Sequence, residues 1–300
     1  MDETPVDILL TGGQGQLGLA LRQACWPGGV TLHAPGRDTL DITDAQSIGR
    51  ALAAAPFAAV INAAAYTAVD QAESDVAEAF ACNALAPARL AEAAAAAGVP
   101  LIHVSTDYVF DGTAERPYVE DDPTHPLSVY GQSKCAGEWA VLAACPRSVV
   151  ARTSWVISPW RANFLKTMLR LAGEREIVRV VDDQRGRPTS AIDLAGALAA
   201  MALRLVQDSG APTGIYHLAN EGETTWAGLA EEIFACSAAV GGASAKVEPI
   251  PTRAYPTPAA RPMNSRLDTA KVERDFGIKL RSWRPAVREI VAALNEGTVQ

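Results

Sequence analysis

Five short apolar runs, VDILLTG (6–12), VTLHAPG (30–36), AAVINAAA (58–65), VPLIHVST (99–106) and SVVARTS (148–154), are separated by segments long enough to form helices. Parallel strands need a crossover of helical length to bring the chain back to the same edge, so this alternation predicts a parallel sheet. Near-continuous apolar character in the runs fits a sheet covered on both faces. Helices are expected at 16–25, 44–54, 74–97 and 128–144. The run PARLAEAAAAAG reads as an ordinary packed helix. The fold class predicted is therefore α/β, doubly wound.

Beyond residue 155 the pattern loosens. A helix is expected at NFLKTMLRLAGE, a polar strand pair around EIVRVVDDQRGRPT, a helix at AIDLAGALAAMALRLV and a strand at GIYHLAN. The stretch PIPTRAYPTPAARPMNSRLD, rich in Pro and Arg, reads as a loop able to cover a substrate, followed by two short helices. The division expected is a dinucleotide domain over 1–155 plus about 188–220, with a smaller α/β lobe over 156–187 and 221–300.

A formal charge of −8 leaves no overall basic field for a nucleic acid polymer or an anionic membrane. No stretch reaches the roughly 18 apolar residues of a membrane span. The acidic opening MDETPVD lacks a basic, then apolar, leader pattern, so the expected location is cytoplasmic. Cys25, Cys82, Cys135, Cys145 and Cys236 are widely spaced without C-x-x-C, and the four histidines show no ligand spacing. No metal site is expected from these residues.

Directly after the first run comes TGGQGQLG, with Gly12, Gly15 and Gly18 in G-x-x-G-x-x-G spacing ahead of an apolar helix. Small residues there let the backbone turn sharply and approach a pyrophosphate, which the helix start favours. The end of the second run, APGRD, offers Arg37 where a ribose would lie. A guanidinium suits a 2′-phosphate, so NADPH is expected in preference to NADH, which stays allowed; a solvated surface arginine is the alternative. INAAAYTAVD (61–70) has small residues that suit either a flat cofactor or tight packing.

The fourth run ends in Ser105, Thr106 and Asp107, at the edge where open α/β sheets bind ligands. In SVYGQSK (128–134), Tyr130 and Lys134 are four apart and share a helix face. A cation that close lowers a phenol from its usual value near 10 by about 1–3 units, making a usable general acid. Tyr130 is thus expected to be a proton donor tuned by Lys134.

These segments, with RTSWV, DDQRGRPT, YHLANEGETTW and RPMNSRLDT, give the chain a clear resemblance to the extended short-chain dehydrogenase/reductases, and within them to the dTDP-4-dehydrorhamnose reductase family. The resemblance implies a Rossmann-type fold and transfer of hydride from the nicotinamide to the C4 keto carbon of dTDP-4-dehydro-L-rhamnose, giving dTDP-L-rhamnose. It implies that Tyr130 protonates the alkoxide, Lys134 holds the nicotinamide ribose and Thr106 bonds the reacting oxygen. Asp107 and Trp155 would contact the sugar nucleotide. Gly12, Gly15, Gln16, Leu17 and Gly18, with Asp41, Ile42, Ala65, Tyr66, Thr67 and Val104, would hold the dinucleotide. Arg185, Arg187, Arg261 and Arg266 are candidates for the substrate diphosphate. Mg2+ and a homodimer are allowed, though no residue pattern specifies either.

Two rival readings remain. Sugar-nucleotide 4,6-dehydratases resemble S-T-D-E where this chain has STDY, and Tyr108 cannot replace that glutamate; an epimerase of the same superfamily stays open. The regulatory β subunit of methionine adenosyltransferase resembles the family without being its enzyme; the RTSWV segment and the full C-terminal lobe favour an enzyme.

Overall fold

The structure, a computed structural model, describes residues 5–297. Residues 1–4, with the acids that open the chain, and 298–300, the expected end of the lobe, lie outside it.

Strands β1 (Val6–Thr11), β2 (Val30–His33), β3 (Ala59–Asn62), β4 (Leu101–Thr106) and β5 (Ser148–Thr153) join Gly214–His217 in one sheet. The spatial order is β2, β1, β3, β4, β5, Gly214–His217, and every pairing is parallel. The fold is thus the α/β, Rossmann-type parallel sheet expected. The chain starts at the centre, runs out to β2 and then crosses back to β3, leaving a crevice between the carboxyl ends of β1 and β3 where ligands of such sheets bind. All of β3 and β5 is buried, as apolar runs covered on both faces require. One core lies between the sheet and helices Gln16–Gln23 and Ala191–Gln207, and another beneath Ala45–Ala53 and Ala86–Ala96.

The helix expected at 74–97 is not uniform. Val76–Phe80 and Ala86–Ala96 are α-helical, and Ala81–Leu85 between them is a π turn. The extra residue lets buried Asn83 turn inward: its amide accepts from Tyr66 N at 2.8 Å and donates to Tyr66 O and to Ser133 Oγ, both at 3.0 Å. Asn83 therefore joins the loop after β3 to helix Val129–Ala144. Ser128 caps that helix, accepting from Gly131 N at 3.2 Å.

A third core gathers Phe164–Glu174, Trp226–Ala239 and Trp283–Asn295. The strand pair expected within 176–189 does not close on itself. Ile177–Val181 pairs in parallel with Lys246–Ile250, and Arg185–Gly186 lies between Thr224–Thr225 and Asn264–Ser265. The Asp182–Gln184 stretch carries the chain from one small sheet to the other instead of forming a hairpin. Among the described residues no helix is long and apolar enough to cross a membrane.

Helix Val129–Ala144 is fastened to the sheet by a buried charge pair. Glu138 accepts from Arg152 of β5 at 2.6 and 2.9 Å and from Ser105 Oγ of β4 at 2.5 Å, with the pair's side chains only 0% and 2% exposed. Removing one member of such a pair leaves the other charge uncompensated. Glu138→Ala is expected to lose about 3–5 kcal/mol of stability in urea unfolding; a loss below about 1 kcal/mol, as for an exposed pair, would show that the pair does not anchor the helix.

Candidate active site

A cleft of about 730 Å³ opens at the carboxyl edge of the sheet. Its lining brings together residues far apart in the chain: the glycine turn, Arg37 and Asp41, the loop after β3, the end of β4, Tyr130 and Lys134, Trp155, and Trp226.

The glycine turn is built by close approach. Gly12 has φ +72, and a Cβ there would lie 2.5 Å from Ala64 N, in the loop after β3. A Cβ on Gly18 would lie 2.1 Å from Gly12 O, so Gly18 packs the helix onto the turn and does not line the cleft. Gly15 is the N-cap of Gln16–Gln23, and no side chain caps its first amides. That helix start offers backbone donors to an anion. Gln16 accepts from Ser158 Oγ at 2.8 Å, while Arg161 Nε donates to Gln14 O at 2.8 Å, tying the segment after β5 to the turn. Arg161 holds a left-handed φ of 56, and nothing in its spacing marked it as part of the site.

Arg37 is 75% exposed, its Nε 3.9 Å from Asp41 Oδ2. Asp41 accepts from the Thr43 hydroxyl at 2.7 Å and from Thr43 N at 2.9 Å, which hold its carboxyl below the usual range. Ile42, Ala65, Thr67 and Val104 line the cleft with Gly12, Gly15, Gln16 and Leu17. Tyr66 does not; its hydroxyl donates to Asp75 at 2.8 Å, outside the cleft.

At the inner end, the Thr106 hydroxyl lies beside the Tyr130 phenol and favours its charged form. Thr106 Oγ1 accepts from Tyr108 N at 3.2 Å and donates to Asp107 Oδ1 at 3.0 Å. Burial pushes the Asp107 carboxyl up to about 6. Asp107 Oδ2 and Thr153 Oγ1 are buried without a protein partner, and both residues line the cleft. Such groups call for a polar ligand.

The expected tuning of Tyr130 by Lys134 does not hold in this structure. Burial, with the Asp107 carboxylate, pushes the phenol up to about 12, opposed by Thr106, so it is raised where the spacing predicted it lowered. Lys134 Nζ itself donates to Val104 O at 2.7 Å. The ammonium itself is what burial perturbs, down to about 8.

Trp155, with φ 47, stacks on Trp226 at 3.6 Å between centroids, and Phe164 tilts against Trp226 at 4.6 Å. All three line the cleft. No local signal links Trp226 to Trp155; only the third core, which gathers both, does. The four candidate arginines are not brought to the cleft. Arg185 and Arg266 pair with Glu223, Arg261 donates to both carboxylate oxygens of Asp70, and Arg187 stands by Ser154, whose hydroxyl donates to Arg187 O at 2.8 Å.

Sheet, switch-point crevice and cleft together define a Rossmann-type α/β protein with a cleft at the edge where such sheets bind ligands. The chain belongs to the family of the RmlD substrate binding domain, whose model matches residues 6–296. A dTDP-4-dehydrorhamnose reductase of Sinorhizobium fredii is 46% identical over 288 residues, 96% of this chain and 97% of that protein. One of Salmonella typhimurium is 40% identical over 294 residues, covering 96% and 98%. The crystal structure of dTDP-4-dehydrorhamnose reductase from Bacillus anthracis in complex with NADP superposes with a TM-score of 0.88 at 32% identity, over 96% of this chain and 99% of that one.

A Cβ added at Gly186 would fall 2.3 Å from Trp155 Cε2. Gly186→Ala is therefore expected to push Trp155 off Trp226, weakening the near-ultraviolet circular dichroism of the pair and costing about 1–3 kcal/mol. An unchanged spectrum would mean that the stack does not depend on this glycine.

Proposed function

We propose that this chain is a dTDP-4-dehydrorhamnose reductase, which reduces the C4 keto group of dTDP-4-dehydro-L-rhamnose to give dTDP-L-rhamnose with NADPH as the preferred reductant. The observation that carries this reading is the convergence of Thr106, Tyr130 and Lys134 beside the glycine turn and Trp155 in one cleft. Relatives of that name at 40–46% identity over nearly the full length support the substrate.

The cleft fits a dinucleotide because Gly12 and Gly18 permit close backbone approach and the start of Gln16–Gln23 presents uncapped amides. Bound there, NADPH supplies the hydride. Asp41 and Ile42 would border the adenosine, and Arg37, the cleft's exposed cation at the β2 end, would meet the 2′-phosphate. Ala65, Thr67 and Val104 would line the remaining length, and the backbone at Tyr66, held by Asn83, would set the loop's path.

The chemistry left to the protein is proton delivery. A phenol held at about 12 keeps its proton across the neutral range and gives it up only to a stronger base, such as the alkoxide formed at C4. Thr106 lies beside the phenol and bonds Asp107, so it would orient Tyr130 and the carbonyl oxygen together. The unpartnered Asp107 oxygen would take a sugar hydroxyl, and the Trp155 and Trp226 pair would give an apolar wall to the deoxysugar. Residues up to 155, with about 188–220, would form the cofactor domain, and 156–187 with 221–300 the lobe that holds the sugar nucleotide. Dehydration is disfavoured because Tyr108, packed edge-on to Tyr130 at 5.5 Å and pushed up by burial, offers no carboxylate for elimination.

Consumption of NADPH and NADH with the keto sugar nucleotide tests the reading. Tyr130→Phe is expected to lose about 10²-fold or more in kcat while binding NADPH as before; equal turnover in both proteins would remove Tyr130 as proton donor. Arg37→Ala is expected to raise the KM for NADPH about tenfold and leave that for NADH unchanged, a difference of about 1.4 kcal/mol. Unchanged discrimination would retire the 2′-phosphate contact.

A further inference from the structure

A buried hydrogen-bonded chain crosses three central strands and ends on Lys134. Thr11 Oγ1 of β1 donates to Asn62 Oδ1 of β3 at 2.6 Å, Asn62 Nδ2 stands 2.9 Å from His103 Nδ1 of β4, and His103 Nε2 stands 3.5 Å from Lys134 Nζ. Thr11, Asn62, His103 and Lys134 are all at least 98% buried. None of the first three was singled out by a motif.

The chain has a direction. Asn62 Oδ1 also accepts from Ala64 N at 3.2 Å, and a backbone N–H can only donate, so the amide is fixed with its NH2 towards His103. His103 Nδ1 is then an acceptor. Burial and the neighbouring Lys134 charge keep the imidazole well below its usual value, hence neutral, so its one proton sits on Nε2. An N–H is therefore turned towards the lysine, where an ammonium would gain from a lone pair. The amine form of Lys134 can accept from that N–H; the ammonium cannot.

We propose that His103, locked by Asn62 as the Nε2–H tautomer, is a positioning residue that presents a donor to Lys134 and thereby weakens its hold on its proton. The inference rests on the reductase reading only where turnover is the readout. It accounts for the direction in which Lys134 Nζ points, with its own bond going to Val104 O. Among the described residues, the Lys134 helix also carries Tyr130 and Glu138, one turn away on either side. The Glu138 carboxylate, which favours the ammonium, is engaged by Arg152 of β5 and Ser105 of β4. With burial setting Lys134 at about 8, its ammonium is present below that pH and lost above it.

The test has two arms. In the protein labelled with 15N-histidine, the His103 signals, assigned by loss in His103→Leu, are expected to show Nε2 protonated and Nδ1 bare from pH 5 to 9. The opposite tautomer, or an imidazolium, would overturn the proposal without reference to any substrate. In the second arm, the alkaline midpoint of kcat/KM is followed in wild type, His103→Leu and Asn62→Ala. Both variants remove the fixed donor, so both midpoints are expected to move upward by about half a pH unit or more. A fall in kcat with the midpoint unmoved, or a downward move, would make His103 merely structural. If one variant does not fold, the other and the labelled wild type decide. Lack of turnover in the wild type would count against the reductase reading alone, and the pH dependence of NADPH binding would then replace kcat/KM in the second arm.

Discussion

The site depends on a charge that has no access to water. Glu138 on helix Val129–Ala144 is fully buried, and it is tolerable there because Arg152 reaches it from β5 and Ser105 from β4. Those contacts fix the helix against the two strands whose ends carry Thr106 and Thr153. Lys134 lies one turn and Tyr130 just over two turns before Glu138, so their reach into the cleft is set by the same anchor. Close approach repeats the constraint: a Cβ at Gly137 would meet Asn83 O at 2.0 Å, and one at Gly131 would meet Tyr108 O at 2.2 Å. The helix sits where it does because a buried charge pair draws it in and backbone contact at two glycines limits how far it can shift.

A second set of contacts joins the third core to the glycine turn. Arg161 and Ser158, after β5, bond the glycine turn, while Trp155 leaves β5 in a left-handed conformation to stack on Trp226 of the third core. A non-glycine residue in that region persists only when its surroundings determine it. Here the stack with Trp226 and the bare face of Gly186 do so. The cleft therefore has one wall from the sheet's carboxyl edge and an apolar wall from Trp155, Phe164 and Trp226, and the proposed reduction needs both.

Much of this was legible in the chain. Strands read from apolar runs lie in one parallel sheet, and the glycine spacing falls at the first strand-to-helix junction because close backbone approach demands glycine wherever it occurs. Tyr130 and Lys134 share a helix face because four residues make about one turn. Less legible were effects of neighbours distant in sequence. The π turn at Ala81–Leu85 exists for the bonds of Asn83 to Tyr66 and Ser133, which no local propensity encodes. Arg185, Arg261 and Arg266, plausible as anion ligands by type, are occupied by carboxylates brought up by the fold.

The sequence by itself determined the main strands and helices of the sheet, the glycine turn after β1 and the Tyr130–Lys134 spacing, since each follows from local pattern or residue chemistry. Only the tertiary structure decided the protonation of those two residues. Lys134 donates to Val104 O, the Tyr130 phenol is raised by burial, and His103 of β4 becomes the lysine's neighbour. Proton affinity depends on solvation and on charges within a few ångströms, and those distances are set by packing between segments that the sequence keeps far apart.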